Sequence, residues 1–167
     1  MKSKIRTLEE ITRIAEKLRA KGKRVVTING SFDMLHAGHV RSLKEAKARG
    51  DVLIVGLNSD KSVKAYKSVH RPIVPQEQRA SILEAIEHVD YIVMMDEPEI
   101  ASPLIRAVKP HVHANSAEYG ENCIEAPAVK EVGAELFLIP KYDNISTTGF
   151  IRKILDVYNK EGMEHGR

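Results

Sequence analysis

Apolar residues along this chain follow two rhythms. Short unbroken runs occur at "RVVTI" (24–28), "VLIVGL" (52–57), "YIVMM" (91–95), "HVHA" (111–114) and "LFLIP" (136–140). Runs of that length, rich in β-branched residues, predict five buried strands. Between them apolar positions recur every three or four residues. Leu8, Ile11, Ile14, Ala15 and Leu18 form one such helix; Thr7 and Glu10 suit a capping box at its start, and Gly22 ends it. Val40, Leu43 and Ala46 predict a second helix, running to Gly50. Pro75 suits the first turn of a third, continued by Ile82, Leu83, Ile86 and Val89. Short helices are expected around 99–107 and 123–132, and "NSDKS" after the second strand reads as a loop. Ile151, Ile154, Leu155 and Tyr158 place a last helix, with 161–167 as a frayed tail.

Continuous apolar strands alternating with amphipathic helices predict an α/β fold, a Rossmann-like doubly wound five-stranded parallel sheet with helices on both faces. The 167 residues read as a single domain, a leading helix over 1–22 and a core over 24–160, with no repeat or interdomain linker. In open sheets of this kind ligands bind beyond the C-terminal strand ends, where the strand order reverses. Chemistry is therefore expected just after strands.

Composition narrows the classes. The formal net charge is +3 and the basic residues are dispersed, which argues against a dedicated nucleic-acid binder. The lone Cys123 excludes an internal disulfide and fits a reducing compartment. "MKSKIRTLEEITRIAEK" is too charged for a signal peptide, and no apolar run approaches the roughly 20 residues of a membrane span. A cytoplasmic location is the expectation.

The stretch "TINGSFDMLHAGHV" (27–40) leaves the first strand, passes a glycine and opens a helix on His36 and His39. Both imidazoles fall at an N-terminal helix end, where free N–H groups and the helix dipole favour anions. Gly38 between them lets a ligand approach the backbone. A zinc site of the metalloprotease kind needs histidines four apart with a glutamate between them, and neither is present. Two partly exposed histidines near a helix end are the plain alternative. Arg79 is in phase with Ile82, Leu83 and Ile86, so its guanidinium lies on an apolar face and needs a partner. "ISTTG" (145–149) opens the last helix as caps or as a phosphate cradle.

"NGSFDMLHAGHV" resembles the HxGH signature of the nucleotidyltransferase superfamily, here His36-Ala37-Gly38-His39. With "TLEEITRIAEKLRAKGKRVV", "RPIVPQEQRASILEAIEHVDYIV" and "ISTTGFIRKI", the chain resembles the adenylyltransferase domain of ADP-heptose synthesis enzymes. It is less similar to glycerol-3-phosphate cytidylyltransferase. The resemblance implies that a sugar phosphate attacks the α-phosphorus of a nucleoside triphosphate and pyrophosphate leaves. A sugar phosphate is largely a dianion at neutral pH, so fixed donors and cations matter more than a general base. By the resemblance His36, His39, Lys67 and Arg79 are the catalytic set, with at least one imidazole acting as a cation and Arg79 meeting the triphosphate. Asn29, Gly30, Phe32, Asp33, Gly38, Lys64, Ser146, Thr147 and Thr148 would shape the nucleotide pocket, Asp33 by orienting loop backbone. Asn58, Arg71 and His113 are candidate substrate contacts. ATP with heptose 1-phosphate is the implied pair, and CTP with glycerol 3-phosphate or another polyol phosphate the alternative; a remoter one is a nucleotide-binding protein without turnover. Mg2+ is expected on the triphosphate rather than in a protein metal site, and a homodimer is implied.

One stretch departs from these relatives. After the fourth strand they carry a Lys-Gly-(Gly)-Asp type loop, where this chain has "VHANSAEYG" (112–120). His113 stands where lysine is common, which predicts an acceptor contact titrating near neutrality. His111 and His113 share a strand face, but a metal pair lacks an evident third ligand. The divergence leaves base and acceptor open.

Overall fold

The computed structural model describes residues 3–96, 102–141 and 146–161, residues 160 and 161 by backbone alone. Its centre is a six-stranded, all-parallel sheet: β1 (Ile5–Arg6), β2 (Val25–Gly30), β3 (Val52–Asn58), β4 (Tyr91–Met95), β5 (Val112–Ser116) and β6 (Glu135–Ile139). The order across the sheet is β1-β4-β3-β2-β5-β6. All five predicted strands are present. The sixth, β1, precedes the leading helix and pairs Ile5 with Ile92 and Arg6 with Val93. Two residues carry no periodicity of their own, so the sequence pattern alone merges them with the leading helix.

Alternation along the strands builds two cores, because successive side chains point to opposite faces. Val26, Ile28, Leu53, Val55 and Leu57 join Leu43 and Ala46 of α2 (Ala37–Lys47) and Ala80 and Leu83 of α4 (Gln76–Ala85). On the other face Val25 and Ile54 meet three helices. These are α1 (Leu8–Ala20), α5 (Ser102–Val108) and α6 (Ala126–Glu131), which supply Ile11, Ala15, Leu104, Ile105, Ala128 and Val129. Helices thus cover both faces, as a parallel sheet requires.

Local chemistry sets the helix ends. Thr7 and Glu10 make the predicted capping box of α1. The predicted "NSDKS" loop instead starts α3 (Asp60–Tyr66): the Ser59 hydroxyl accepts the Ser62 N–H at 3.2 Å, and Asp60 sits in the first turn. Helix α4 is shorter than its apolar period. Ile86 turns extended (ψ 124°), although Ile86 and Val89 still pack on the core. Helix α7 (Thr147–Glu161) closes the chain with Phe150, Ile154, Leu155 and Tyr158 exposed. Residues 99–101 of the helix predicted around 99–107, Ile145, and the predicted tail beyond Glu161 lie outside the described residues.

The order reverses at β2, whose successors lie on opposite sides: β3 pairs one edge and β5 the other. Beyond the C-terminal ends of β2 and β5 lies the crevice where a ligand of such a sheet is expected.

Candidate functional site

The loop from β2 to α2 is bent sharply, with Phe32 (φ 46°) and Met34 (φ 49°) both in the left-handed region. Each costs on the order of 1–3 kcal/mol for a residue other than glycine and persists only where surroundings hold it. Asp33, between them, does the holding. Its carboxylate accepts the Arg71 Nε–H at 2.7 Å and the backbone N–H groups of Ile73 (3.0 Å) and Val74 (2.9 Å). Its carbonyl accepts the Thr147 hydroxyl at 2.8 Å. Burial alone would raise the Asp33 pKa, but the Ile73 and Val74 amides and Arg71 outweigh it and hold the carboxyl below its ordinary value. In the ligand-free protein the Asp33 carboxylate thus holds the backbone of Ile73 and Val74.

Helix α2 begins one residue past this bend, with His36 as N-cap, Gly38 in the first turn and His39 at its third position. The His36 N–H points at His39 Nδ1, 3.3 Å away. A backbone amide only donates, so Nδ1 is the acceptor and a neutral His39 carries its proton on Nε2. The two rings stack at 3.8 Å, with Phe32 against His39 at 5.5 Å and Phe150 of α7 against His36 at 5.7 Å. Burial, then His36, then Lys67 push the His39 pKa down to about 4, against a smaller opposing pull from Asp33. Burial also lowers His36. Both shifts favour the neutral imidazole in the ligand-free protein, and the negative charge of a bound ligand would oppose them.

Lys67, at the end of α3, turns its ammonium onto Ser31 Oγ at 2.9 Å. Burial, Arg71 and Arg79 lower its pKa, with Asp33 opposing. Ser146 caps α7, its hydroxyl accepting the Gly149 N–H at 3.1 Å, while Thr148 stays exposed. The first turn of α7 thus meets the N-cap of α2 through Phe150–His36 and the loop before it through Thr147–Asp33. Lys67 and Arg71 stand on the same loop by way of Ser31 and Asp33. Among the described residues no group of three or more His, Cys, Asp or Glu could hold a metal ion.

Four predicted residues lie elsewhere. Lys64 is exposed on the last turn of α3. Asn58 is fully buried, its amide bonded to Ser62 Oγ at 3.1 Å. Arg79 is also fully buried, and its guanidinium is committed to protein acceptors. Nε donates to the Val74 carbonyl (2.9 Å), Nη1 to the carbonyls of Ser31 and Asn58 (the latter 2.8 Å), and Nη2 to Asp60 (2.7 Å). The predicted triphosphate contact is corrected to a tie between the ends of β2 and β3; the apolar-face arginine found its partners in backbone. His113 is 0% exposed and shares a 2.9 Å hydrogen bond between Nδ1 and Thr27 Oγ1. Burial drives its pKa to about 3, so the expected titration near neutrality is corrected as well. His111 points its Nδ1 at the Val25 N–H, 3.0 Å away, rather than pairing with His113 on a metal.

The sequence reading also missed Ser31 and a buried polar group at the β2–β5 crevice. Asn29 Nδ2 donates to Glu125 Oε1 at 3.1 Å, and Asn115 Nδ2 donates to Glu125 Oε2 at 3.0 Å. Glu125 precedes α6, far from any motif; a polar residue inside "CIEAPAV" was the available signal.

Residues 27–153 match the family described as cytidylyltransferase-like. Among curated relatives, the "Bifunctional protein HldE" of Aliarcobacter butzleri is 45% identical over 153 residues, 91% of this chain and 31% of that protein. The protein of the same name from Geobacter metallireducens is 41% identical over 160 residues, 95% and 32% of the two lengths. The chain thus spans about a third of the length of these relatives. Among solved structures, a lipopolysaccharide core biosynthesis protein from Thermoplasma volcanium superposes with a TM-score of 0.62 at 26% identity, over 73% of this chain and 100% of that one. A pantoate-β-alanine ligase from Francisella tularensis, complexed with beta-gamma ATP and β-alanine, gives 0.64 at 16% identity over 96% of this chain and 79% of that one, a likeness of fold alone.

Proposed function

The chain belongs to the cytidylyltransferase-like family and is a nucleotidyltransferase, and from that premise we propose that it moves the adenylyl group of ATP onto a heptose 1-phosphate and releases pyrophosphate. The observation that carries the reading is the His36–His39 pair at the start of α2. His39 is fixed by the His36 amide so that its Nε2–H is free to donate, beside the uncommitted N–H groups of the helix end.

In this reading the triphosphate lies across the first turns of α2 and α7. The acceptor phosphate attacks the α-phosphorus, a new P–O bond forms, and the bond to the leaving pyrophosphate breaks. His36 and His39 donate to the α-phosphate region, where negative charge builds. Lys67 swings from Ser31 to the phosphates, where a partner anion restores its full basicity. Ser146, Thr147 and Thr148 offer the α7 amides to the β and γ phosphates. Asn29, Gly30 and Phe32 line the floor, and Arg71 and Asp33 keep the loop in shape. Arg79 acts at one remove, by fixing Ser31. Mg2+ arrives on the triphosphate: the Asp33 carboxylate already serves Arg71, Ile73 and Val74. A cytoplasmic homodimer completes the proposal, supported by the single cysteine and by the apolar side of α7.

A pyrophosphate-release screen of four nucleoside triphosphates against sugar and polyol phosphates tests this. The expected maximum is ATP with heptose 1-phosphate. A maximum at CTP with glycerol 3-phosphate would assign the cytidylyl reaction instead, and silence across the panel would end the reading.

A further inference from the structure

Glu125 is a carboxylate 4% exposed, and among the described residues no lysine, arginine or histidine pairs with it. Among the described residues its donors are two neutral carboxamides, one on each oxygen. Each carboxylate oxygen has about two lone-pair sites, so each keeps one unfilled. Beside it Asn29 Oδ1 is buried and has no hydrogen-bond partner. Asn115 Oδ1, by contrast, is already taken by the Ser116 N–H at 2.8 Å. A buried acceptor without a donor, here Asn29 Oδ1, is costly, and each one in a native structure calls for an explanation.

Their position is specific. Asn29 is the penultimate residue of β2 and Asn115 the penultimate residue of β5, adjacent strands whose pairing reaches Ile28 and Ala114 one residue earlier. The group therefore sits at the reversal point of the sheet, one residue from Gly30 and the bent loop. One tyrosine stands near it, and a second stands near the first. Tyr119, exposed in the turn after β5, feels the charge of Glu125, and Tyr66 at the end of α3 feels Tyr119.

The occupant follows from the chemistry. A phosphate is repelled by a carboxylate. A metal ion would find one carboxylate whose two oxygens already accept amide protons. What the acceptors lack is neutral O–H donors, two or more, close together, with apolar surface that can lie against an aromatic ring. We infer that Glu125, with Asn29 and Asn115, reads adjacent hydroxyls of a sugar ring, and so sets which sugar the site accepts. This rests on the nucleotidyltransferase reading above, and two sugars are then available: the ribose of the nucleotide and the acceptor.

The test is Glu125→Gln, which keeps shape and one acceptor but removes the charge. Pyrophosphate release is measured with ATP, 2′-deoxy-ATP and 3′-deoxy-ATP against heptose 1-phosphate and its monodeoxy analogues. A charge-assisted hydrogen bond is worth roughly 10- to 100-fold. One substrate's KM should rise by about that factor, more than kcat falls, while the other's KM stays within about threefold. The wild-type penalty for deleting one hydroxyl of that substrate should vanish in the variant. Loss of a ribose penalty assigns the nucleotide sugar, and loss of an acceptor penalty assigns the acceptor. Unchanged KM values in a folded variant, or equal deoxy penalties in both proteins, would make Glu125 purely structural and overturn the inference. Should Glu125→Gln not fold, Asn115→Ser is read by the same criteria. Should the wild type release no pyrophosphate at all, the reaction assignment fails by itself. Calorimetric titration of Mg-ATP and of heptose 1-phosphate into both proteins then still decides the hydroxyl site, equal affinities overturning it.

Discussion

Replacing Arg79 by methionine removes a charge from a position with no solvent exposure, and the structure fixes what is left behind. Three backbone carbonyls, of Ser31, Asn58 and Val74, lose their guanidinium donor. Asp60 also loses its partner, but it is about one-third exposed and regains water. A buried acceptor left unmade costs about 1–3 kcal/mol, and relaxation makes three such losses less than additive. Removing one partner of a buried ion pair costs about 3–5 kcal/mol by a separate route, and the two figures overlap. A loss of about 4 kcal/mol is therefore expected without any ligand. With a urea m-value of about 2 kcal/mol/M, the midpoint falls by about 2 M. The assay is equilibrium urea unfolding of ligand-free wild type, Arg79→Lys and Arg79→Met, followed by circular dichroism. Lysine keeps the charge but lacks the planar fork, so it should fall between the other two. The reading from sequence demands the opposite: a guanidinium waiting for triphosphate makes Arg79→Met as stable as wild type or more so. Ligand-free stability within about 1 kcal/mol of wild type, with weakened ATP binding, would refute the structural account.

His39→Ala should lower turnover by more than ~100-fold, the scale of one lost transition-state donor, with a small change in melting temperature; near-normal turnover in a folded protein would contradict the proposed role. Folded His39 and His113 have pKa values of about 4 and about 3, below the unfolded 6.5. The unfolded chain therefore takes up protons first as pH falls, so stability present above about 6.5 is lost between 6.5 and those values, by at most about 1.4 kcal/mol per pH unit for each histidine. Urea midpoints at pH 7.5 and 5 measure this, and His113→Gln should reduce the slope. A Cβ on Gly50 would meet the Arg24 carbonyl oxygen at 2.6 Å, a backbone atom that cannot turn aside. Gly50→Ala should therefore destabilise by about 1–3 kcal/mol, read from thermal unfolding.

Residues that act through their neighbours in sequence were legible; those that act through distant neighbours were not. The five long strands announce themselves by unbroken apolar runs, whereas Ile5–Arg6 is a strand only because β4, over 80 residues on, lies beside it. His36 and His39 could be placed at a helix start from spacing alone, because a helix end is a local object. Arg79 shows the limit. Periodicity correctly put it on the buried face of α4, but its partners are the carbonyls of Ser31 and Asn58, which only the folded sheet brings there. His113 failed for a related reason. Comparison with lysine suggested a charged contact, while its alternation with Val112 and Ala114 points it into the opposite core, against Thr27.

The Asp33 cage has a consequence for the motions of the protein. Ile73 and Val74 donate their amides to its carboxylate, and Thr147 donates to its carbonyl, so segments some 40 and 114 residues away are fastened to one aspartate. Hydrogen–deuterium exchange at the Ile73 and Val74 amides therefore reports the opening of the whole corner where the starts of α2 and α7 meet, though neither residue is given a ligand contact in the proposed reaction. The two amides should exchange at a common rate, set by one opening event. A triphosphate that binds only the closed form slows both by the factor 1 + [L]/Kd, so two amides outside the pocket can serve as an affinity gauge for it.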